Sequence, residues 1–183
     1  MRGRPLEQVR VLDLGGADSD PVSRLFGDLG ADVLKIEPPA GSPARHTLPA
    51  VADASIPFTV HNANKRGAVL DPARGADRDR LLELAGGADV VVDGGNPAGA
   101  SAFGTSCAAL AERFGHLVAL SVTDFGMSGP HAAWQATDPV LYAMSSALSR
   151  TGPTSGTPVL PPRTTQDVAR RSARCHDHPS IPR

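Results

Sequence analysis

Asp138 stands where a loop runs into a helix, in the segment Ala136-Thr-Asp-Pro-Val140. Upstream, the apolar run from Leu117 to Val122 predicts a buried strand that breaks at glycine turns around Gly126 and Gly129-Pro130. Thr137 offers a helix cap and Pro139 suits the first helical turn, ahead of the run from Val140 to Leu148. A carboxylate at that junction meets backbone N–H groups and the positive end of a helix dipole, which hold it as an anion. Two readings follow from these residues: a helix N-cap, or a nucleophilic carboxylate.

A second cluster is Asn62-Ala-Asn-Lys-Arg66, with two amides and two cations in one short segment. Those groups fit a clamp for anionic oxygens, and a solvated turn is the alternative. Near the end of the chain, Cys175-His-Asp-His178 carries metal-ligand side chains. They are adjacent, with no second cluster at zinc-site spacing, so no metal site is expected.

The elements that must position these groups alternate. Val9 to Leu14 predicts a strand ended by Gly15-Gly16, and Pro21 to Leu29 a helix stopped by Gly30. Asp32 to Glu37 predicts a second strand, halted by Pro38-Pro39. A long irregular stretch, Ala40 to Pro57, follows. Ala68 to Asp71 predicts a third strand, Asp71-Pro72 the start of a helix ended by Gly86-Gly87, and Ala88 to Val92 a fourth strand. Thr105 or Ser106 caps a short helix through Phe114, and Leu117 to Val122 completes five strands. The pattern predicts an α/β domain, a Rossmann-like, mostly parallel sheet with flanking helices. Ligands in such sheets bind outside the carboxyl ends of the strands. From Pro161 onward apolar periodicity is lost and arginines accumulate. The expected organisation is therefore one domain over 1–160 and a disordered tail over 161–183.

Composition narrows the function. A net charge of -1 argues against nucleic acid or an anionic membrane surface as partner. No apolar run approaches the length of a membrane span, and the N-terminus lacks the apolar core of a signal peptide. Two cysteines form no disulfide framework, which suits a reducing cytoplasm. Lys35 and Lys65 are the only lysines among 18 basic residues, a bias expected of a GC-rich gene.

Val11-Leu-Asp-Leu-Gly-Gly16 lies close to two nucleotide-binding patterns without meeting either. A dinucleotide fingerprint needs three glycines at fixed spacing, and Ala17-Asp-Ser-Asp20 supplies none. An S-adenosylmethionine site would pair this turn with Glu37 at the end of the next strand. It stays open as a methyltransferase-like alternative.

In order and spacing these segments resemble the N-terminal part of the class III CoA-transferases, the family of formyl-CoA and carnitine CoA-transferases and α-methylacyl-CoA racemase. The matching segments are Val9 to Leu14, Leu29 to Pro39, Gly41 to Arg45, Asn64 to Arg66 with Val69 to Asp71, Ala88 to Val92, Phe125 to Pro130, Asp138 to Ser145 and Thr151-Gly152. The resemblance implies that Asp138 is the nucleophile, attacking an acyl-CoA thioester so that CoA passes through an aspartyl thioester to an acceptor carboxylic acid. It implies that Arg45, Asn64, Lys65 and Arg66 lie near the CoA nucleotide and its phosphates; backbone N–H groups near Gly126 and Gly129 are candidates to hold the oxyanion. CoA and acyl-CoA are then substrates, with no permanently bound cofactor. In the racemase branch the aspartate is an acid/base partner of a histidine, for which His116 and His131 are available.

The chain departs from the family in three places. Ala136-Thr137 stands where relatives have Gly-Tyr or Gly-His, and Asp93-Gly-Gly-Asn-Pro-Ala98 replaces a run carrying an aromatic and a cation. Asp18 and Asp20 put two acids where a polyphosphate would approach. The family is also about twice as long or more, with a small second domain and two chains interlocked as a homodimer. The sequence therefore predicts a truncated or frameshifted member, catalytic through Asp138 or reduced to an inactive remnant or CoA-binding subunit.

Overall fold

The computed structural model describes residues 3–94, 98–152 and 155–160. The tail from Pro161, the Cys175 to His178 cluster and the middle of the Asp93 to Ala98 run lie outside the described residues. The chain divides into two compact units, residues 1–121 and 122–183.

In the first unit, β1 (Arg10–Asp13), β2 (Asp32–Glu37), β5 (Lys65–Val69), β6 (Val90–Gly94) and β7 (Val118–Val122) form one sheet in the order β5-β2-β1-β6-β7. β7 ends on the first residue of the second unit. The pairings of β1 with β2 and β6, and of β2 with β5, are parallel. The α/β prediction therefore holds. Helices α1 (Asp20–Asp28), α3 (Gly75–Gly86), α4 (Gly99–Ala102) and α5 (Cys107–Arg113) make the crossovers. Val11, Val33, Val91 and Val92 are buried within the sheet. Leu12, Leu81, Ala85, Val91, Ala100, Cys107 and Leu110 form one continuous apolar core. Leu81 is wholly buried, so truncation to alanine there costs about 2–5 kcal/mol.

Three boundaries differ from the sequence expectation. β5 begins at Lys65, not Ala68, because its parallel register with β2 runs from Val33 opposite Lys65 to Glu37 opposite Val69. Pairing overrides the weak strand preference of Lys-Arg-Gly. The stretch from Ala40 to Pro57 is not irregular. It holds a 3-10 turn (Pro43–His46) and a small hairpin of β3 (Ala50–Val51) and β4 (Ala54–Ser55). Ala52 and Asp53 reverse that hairpin with φ of 47° and 63°, as a tight hairpin turn requires. Helix α2 (Ile56–His61) follows, and the Ser55 hydroxyl accepts its Phe58 N–H. Finally, Asp71-Pro72 forms a turn before α3 rather than its first residues, with Asp71 accepting the Ala73 N–H.

The second unit contains a loop over 123–137, then α6 (Asp138–Met144) and a 3-10 turn (Leu148–Arg150). Leu141 and Tyr142 are the buried residues of α6.

Candidate functional site

In the first unit, chemistry-bearing side chains gather at the carboxyl ends of β1 and β2. Asp13 ends β1, Asp20 opens α1, Lys35 lies on β2 and Lys65 begins β5. The Lys65 ammonium lies within 2.9 Å of four oxygens: Asp13 Oδ2, the Asp20 carbonyl, Ser23 Oγ and Asn62 Oδ1. Lys35 donates to Asp20 Oδ1 and to the Gly15 carbonyl. Asn62 and Ser23 complete the network by donating to Asp20 Oδ2 and Asp13 Oδ2. All four charged side chains are at most 3% exposed, and their formal charges cancel. Burial pushes the Asp20 carboxyl above the usual aspartate range, with the two ammonium groups pulling it back. Burial lowers the Lys65 ammonium in the same way, against the pull of Asp13 and Asp20. Asp20 is thus neutralised inside the fold and presents no charge to an approaching phosphate.

The clamp Asn62 to Arg66 does hold anionic oxygens, and they are the chain's own. Asn62 and Lys65 hold Asp20 and Asp13, Asn64 donates to Asp28 Oδ1, and Arg66 pairs with Asp32 through both Nε and Nη2. Asn64 also takes a φ of 64°, the left-handed conformation that turns the chain into β5.

The two arginines named from sequence lie at opposite ends of β2. Arg66 pairs with its first residue, Asp32, and lines a groove of about 310 Å³ with Arg10, Glu83, Leu34 and Leu84. Arg45 pairs with its last, Glu37, through Nε and Nη2 at 2.7 Å, and its guanidinium carbon sits 4.3 Å from the Phe58 ring centroid. Hydrogen bonds from Arg45 hold the Glu37 carboxyl below the usual glutamate range, helped by the Ser42 N–H. Half of the Arg45 side chain stays exposed. Arg45 is thus on the carboxyl side of the sheet, where ligands bind in this architecture.

The crevice between β1 and β6, where strand order switches direction, is filled by the chain itself. A Cβ on Gly99 would lie 1.8 Å from the Leu14 carbonyl oxygen, so only glycine fits there. The Asp93 carboxylate accepts N–H groups from Gly94, Gly99 and Ala100, closing β6 onto α4. Burial raises its pKa, and those three donors oppose the rise.

In the second unit, Asp138 is the first residue of α6 and Thr137 is the N-cap. The N-cap reading of Asp138 is therefore displaced by one residue, and the Thr137 side chain makes no capping hydrogen bond. Oδ1 of Asp138 is buried. The loop before it is drawn closed by Asp124 Oδ2, which accepts the Ala136 N–H at 2.9 Å. Gly126 and Gly129 turn that loop with φ of 83° and 102°, which a side chain would disfavour. Of the two histidines, His116 lies beside Phe114 in the first unit and His131 beside Trp134 in the second.

A parallel sheet with charged groups at its carboxyl ends, followed by an aspartate opening a helix, is a frame that several families share. The sequence model of CoA-transferase family III matches residues 6–171. The chain belongs to that family.

Known family III proteins agree with the match. The chain is 65% identical over 156 residues to the probable CoA-transferase Rv1866 of Mycobacterium tuberculosis, covering 83% of this chain and 20% of that protein. It is 34% identical to the succinyl-CoA:(R)-benzylsuccinate CoA-transferase subunit BbsE of Thauera aromatica, covering 87% of this chain and 40% of that one. The crystal structure of a CAIB/BAIF family protein from Brucella suis superposes with a TM-score of 0.78 at 25% identity, over 96% of this chain and 50% of its own. The chain thus spans between a fifth and a half of these three proteins. Against family III the S-adenosylmethionine alternative loses its footing, since both Glu37 oxygens are engaged by Arg45 and Ser42.

Sequence reasoning missed Asp13 and Ser23 as partners of Lys65 and Lys35 as the second ammonium of the pocket, and it missed Asp93 as a cap. One signal was present: the only two lysines of an arginine-rich chain are the two that are buried together. A compact ammonium fits a pocket of converging oxygens that a planar guanidinium would not. Among the described residues no group of three or more His, Cys, Asp or Glu side chains is placed to hold a metal, and no helix is long and apolar enough to cross a membrane.

Proposed function

We propose that this chain carries the nucleophile of a family III CoA-transferase, Asp138, and moves CoA between an acyl-CoA and a carboxylic acid. The observation that carries the reading is an aspartate at the first position of α6, with Oδ1 withdrawn from solvent, in a chain matched by the family over residues 6–171. In the proposed reaction a carboxylate oxygen of Asp138 attacks the thioester carbonyl. The C–S bond breaks, leaving a mixed anhydride and CoA thiolate. The thiolate attacks the aspartyl carbonyl and displaces the first acid as its carboxylate, giving an aspartyl-CoA thioester. The acceptor carboxylate attacks that thioester, and the thiolate released takes up the acceptor's acyl group, which restores the Asp138 carboxylate. Each step exchanges one acyl–oxygen or acyl–sulfur bond for another and needs no redox partner. Backbone N–H groups at Gly126 and Gly129 are the proposed donors to the tetrahedral oxyanion.

For CoA binding, Arg45 is the favoured phosphate contact, since it is half exposed beside Phe58 at the carboxyl end of β2. Lys65 and Asn64 support that site by fixing β5 and α1, and Arg66 is paired with Asp32 at the other end of β2. A second reading is CoA binding without turnover.

Calorimetric titration of the folded chain with CoA, with S-adenosylmethionine as control ligand, tests the assignment. Micromolar binding of CoA alone is expected. Incubation with acyl-CoA should then add mass at Asp138, and Asp138→Asn should abolish the adduct while keeping CoA affinity. Binding without an adduct assigns the chain to the second reading, and a folded chain that ignores CoA overturns both.

A further inference from the structure

The loop before Asp138 carries an aromatic cluster that the reaction above does not use. Phe125 is half-buried at its base, with Trp134 standing edge-to-face on it at 6.0 Å between centroids and 84° between planes. His131 lies against Trp134 at 4.1 Å, and a turn fixes the two together, the Trp134 N–H donating to the His131 carbonyl at 2.9 Å. Asp124 holds the Ala136 N–H, so the loop projects as one closed body. Two of its large apolar side chains are open to solvent, Trp134 at 56% and Met127 at 68%. From Phe125 to Gln135 the only ionisable side chain is His131.

Such a surface suits a ligand with an aromatic ring. Rings already packed on one another lose little freedom on binding, and their faces favour offset or edge-on contact with another ring. Its position says which part of the ligand would meet it. Trp134 precedes Asp138 by four residues, a span of at most roughly 14 Å of extended chain. In a CoA thioester the long pantetheine arm separates the nucleotide from the reacting carbonyl. Groups that near the attacked carbonyl therefore meet the acyl part or the adjoining end of the pantetheine, not the adenine, and of those two only the acyl part can carry a ring.

We propose that His131, Trp134 and Phe125 form the wall that receives the acyl group, and that they select carboxylic acids bearing an aromatic ring over short aliphatic ones. The proposal rests on Asp138 being the nucleophile. It adds the substrate class.

Trp134 is the chain's single tryptophan, so its emission reports on the cluster directly. The test titrates the full chain with phenylacetyl-CoA, acetyl-CoA and CoA, and separately with free phenylacetate and acetate, following Trp134 emission and heat. The phenylacetyl thioester should bind about two- to tenfold tighter than the acetyl one and shift the emission saturably. His131→Ala and Trp134→Ala, checked for native circular dichroism, should each reduce that preference towards unity, with heat as the readout for Trp134→Ala. If both thioesters bind equally, or phenylacetyl-CoA binds without changing the emission, the wall is overturned while the transferase reading stands. If neither thioester binds, free phenylacetate decides. A saturable shift abolished by His131→Ala keeps an aromatic-acid site and removes the CoA reading, and no shift overturns both. An emission that moves with protein concentration alone, together with a dimer mass, would assign the cluster to self-association and overturn the proposal.

Discussion

The Lys65 ammonium lies 2.9 Å from Asp13 Oδ2, with the lysine side chain 2% exposed and the aspartate fully buried. That pair ties the start of β5 to the end of β1, two strands that do not touch in the sheet because β2 lies between them. Lys35 reaches the same pocket from β2, so three strands and α1 are fixed at one point.

Removing one charge from this network should be costly. Lys65→Met leaves Asp13 and Asp20 with a single ammonium, and urea unfolding should show a loss of about 3–5 kcal/mol. Lys65→Arg keeps the charge and should still destabilise, because a guanidinium cannot reach the four oxygens that Lys65 touches. A Lys65→Arg variant as stable as the parent would show that charge alone, and not the shape of the pocket, is required.

Glu37 gives the fold a defined response to acid. Arg45 holds its folded pKa below the unfolded value, so its stabilising contribution is complete above about pH 4.3 and is lost as pH falls through the lowered folded value. Relative to the parent, Glu37→Gln should be less stable at neutral pH, and the two stabilities should converge below that window. Thermal melts from pH 3 to 7 measure the convergence. A difference that stays constant with pH would mean the carboxylate charge is not what Arg45 recognises.

The positions of the two arginines make a paired prediction for CoA. Arg45→Ala should weaken CoA binding by about tenfold or more, the loss of one charge-assisted contact. Arg66→Ala should change it less than about threefold, because Arg66 is paired with Asp32 at the other end of β2. Calorimetry on both variants at one salt concentration decides the order, and the reverse order would place the phosphates beside the groove that Arg66 lines.

Cys107 should be chemically silent in the folded chain. It is 5% exposed, and burial, reinforced by the charge on Asp93, pushes its thiol up to about 11. In a Cys175→Ser background, an aromatic disulfide reagent at pH 8 should react with Cys107 only after denaturant is added. Fast labelling of the native protein would place the thiol in a more open setting than its contacts with the core indicate.

Asp93→Asn is the sharpest test of the closure between β6 and α4. The amide would turn donors towards one of the N–H groups of Gly94, Gly99 and Ala100, leaving it unsatisfied in a buried setting. A loss of about 1–3 kcal/mol is expected in urea unfolding.

Sequence alone determined the alternation of strands and helices, because apolar runs and the Gly and Pro that end them are local signals. It placed β2 at Asp32 to Glu37 and a cap for α5 at Thr105 or Ser106, of which the fold uses Ser106. It also drew attention to Asp138 and to the anion-binding character of Asn62 to Arg66, since residue type fixes what a side chain can bind. Which anion it binds is decided in three dimensions. Asp13, Asp20, Asp28 and Asp32 are distant along the chain from that segment, and only the parallel register of β2 with β5 and the packing of α1 bring them to it. Ion pairs with Glu37 and Asp32 likewise hold Arg45 and Arg66 at opposite ends of β2, a separation that no spacing in the sequence encodes. Long-range pairing settles where each charge is held, and so which charges remain for a ligand.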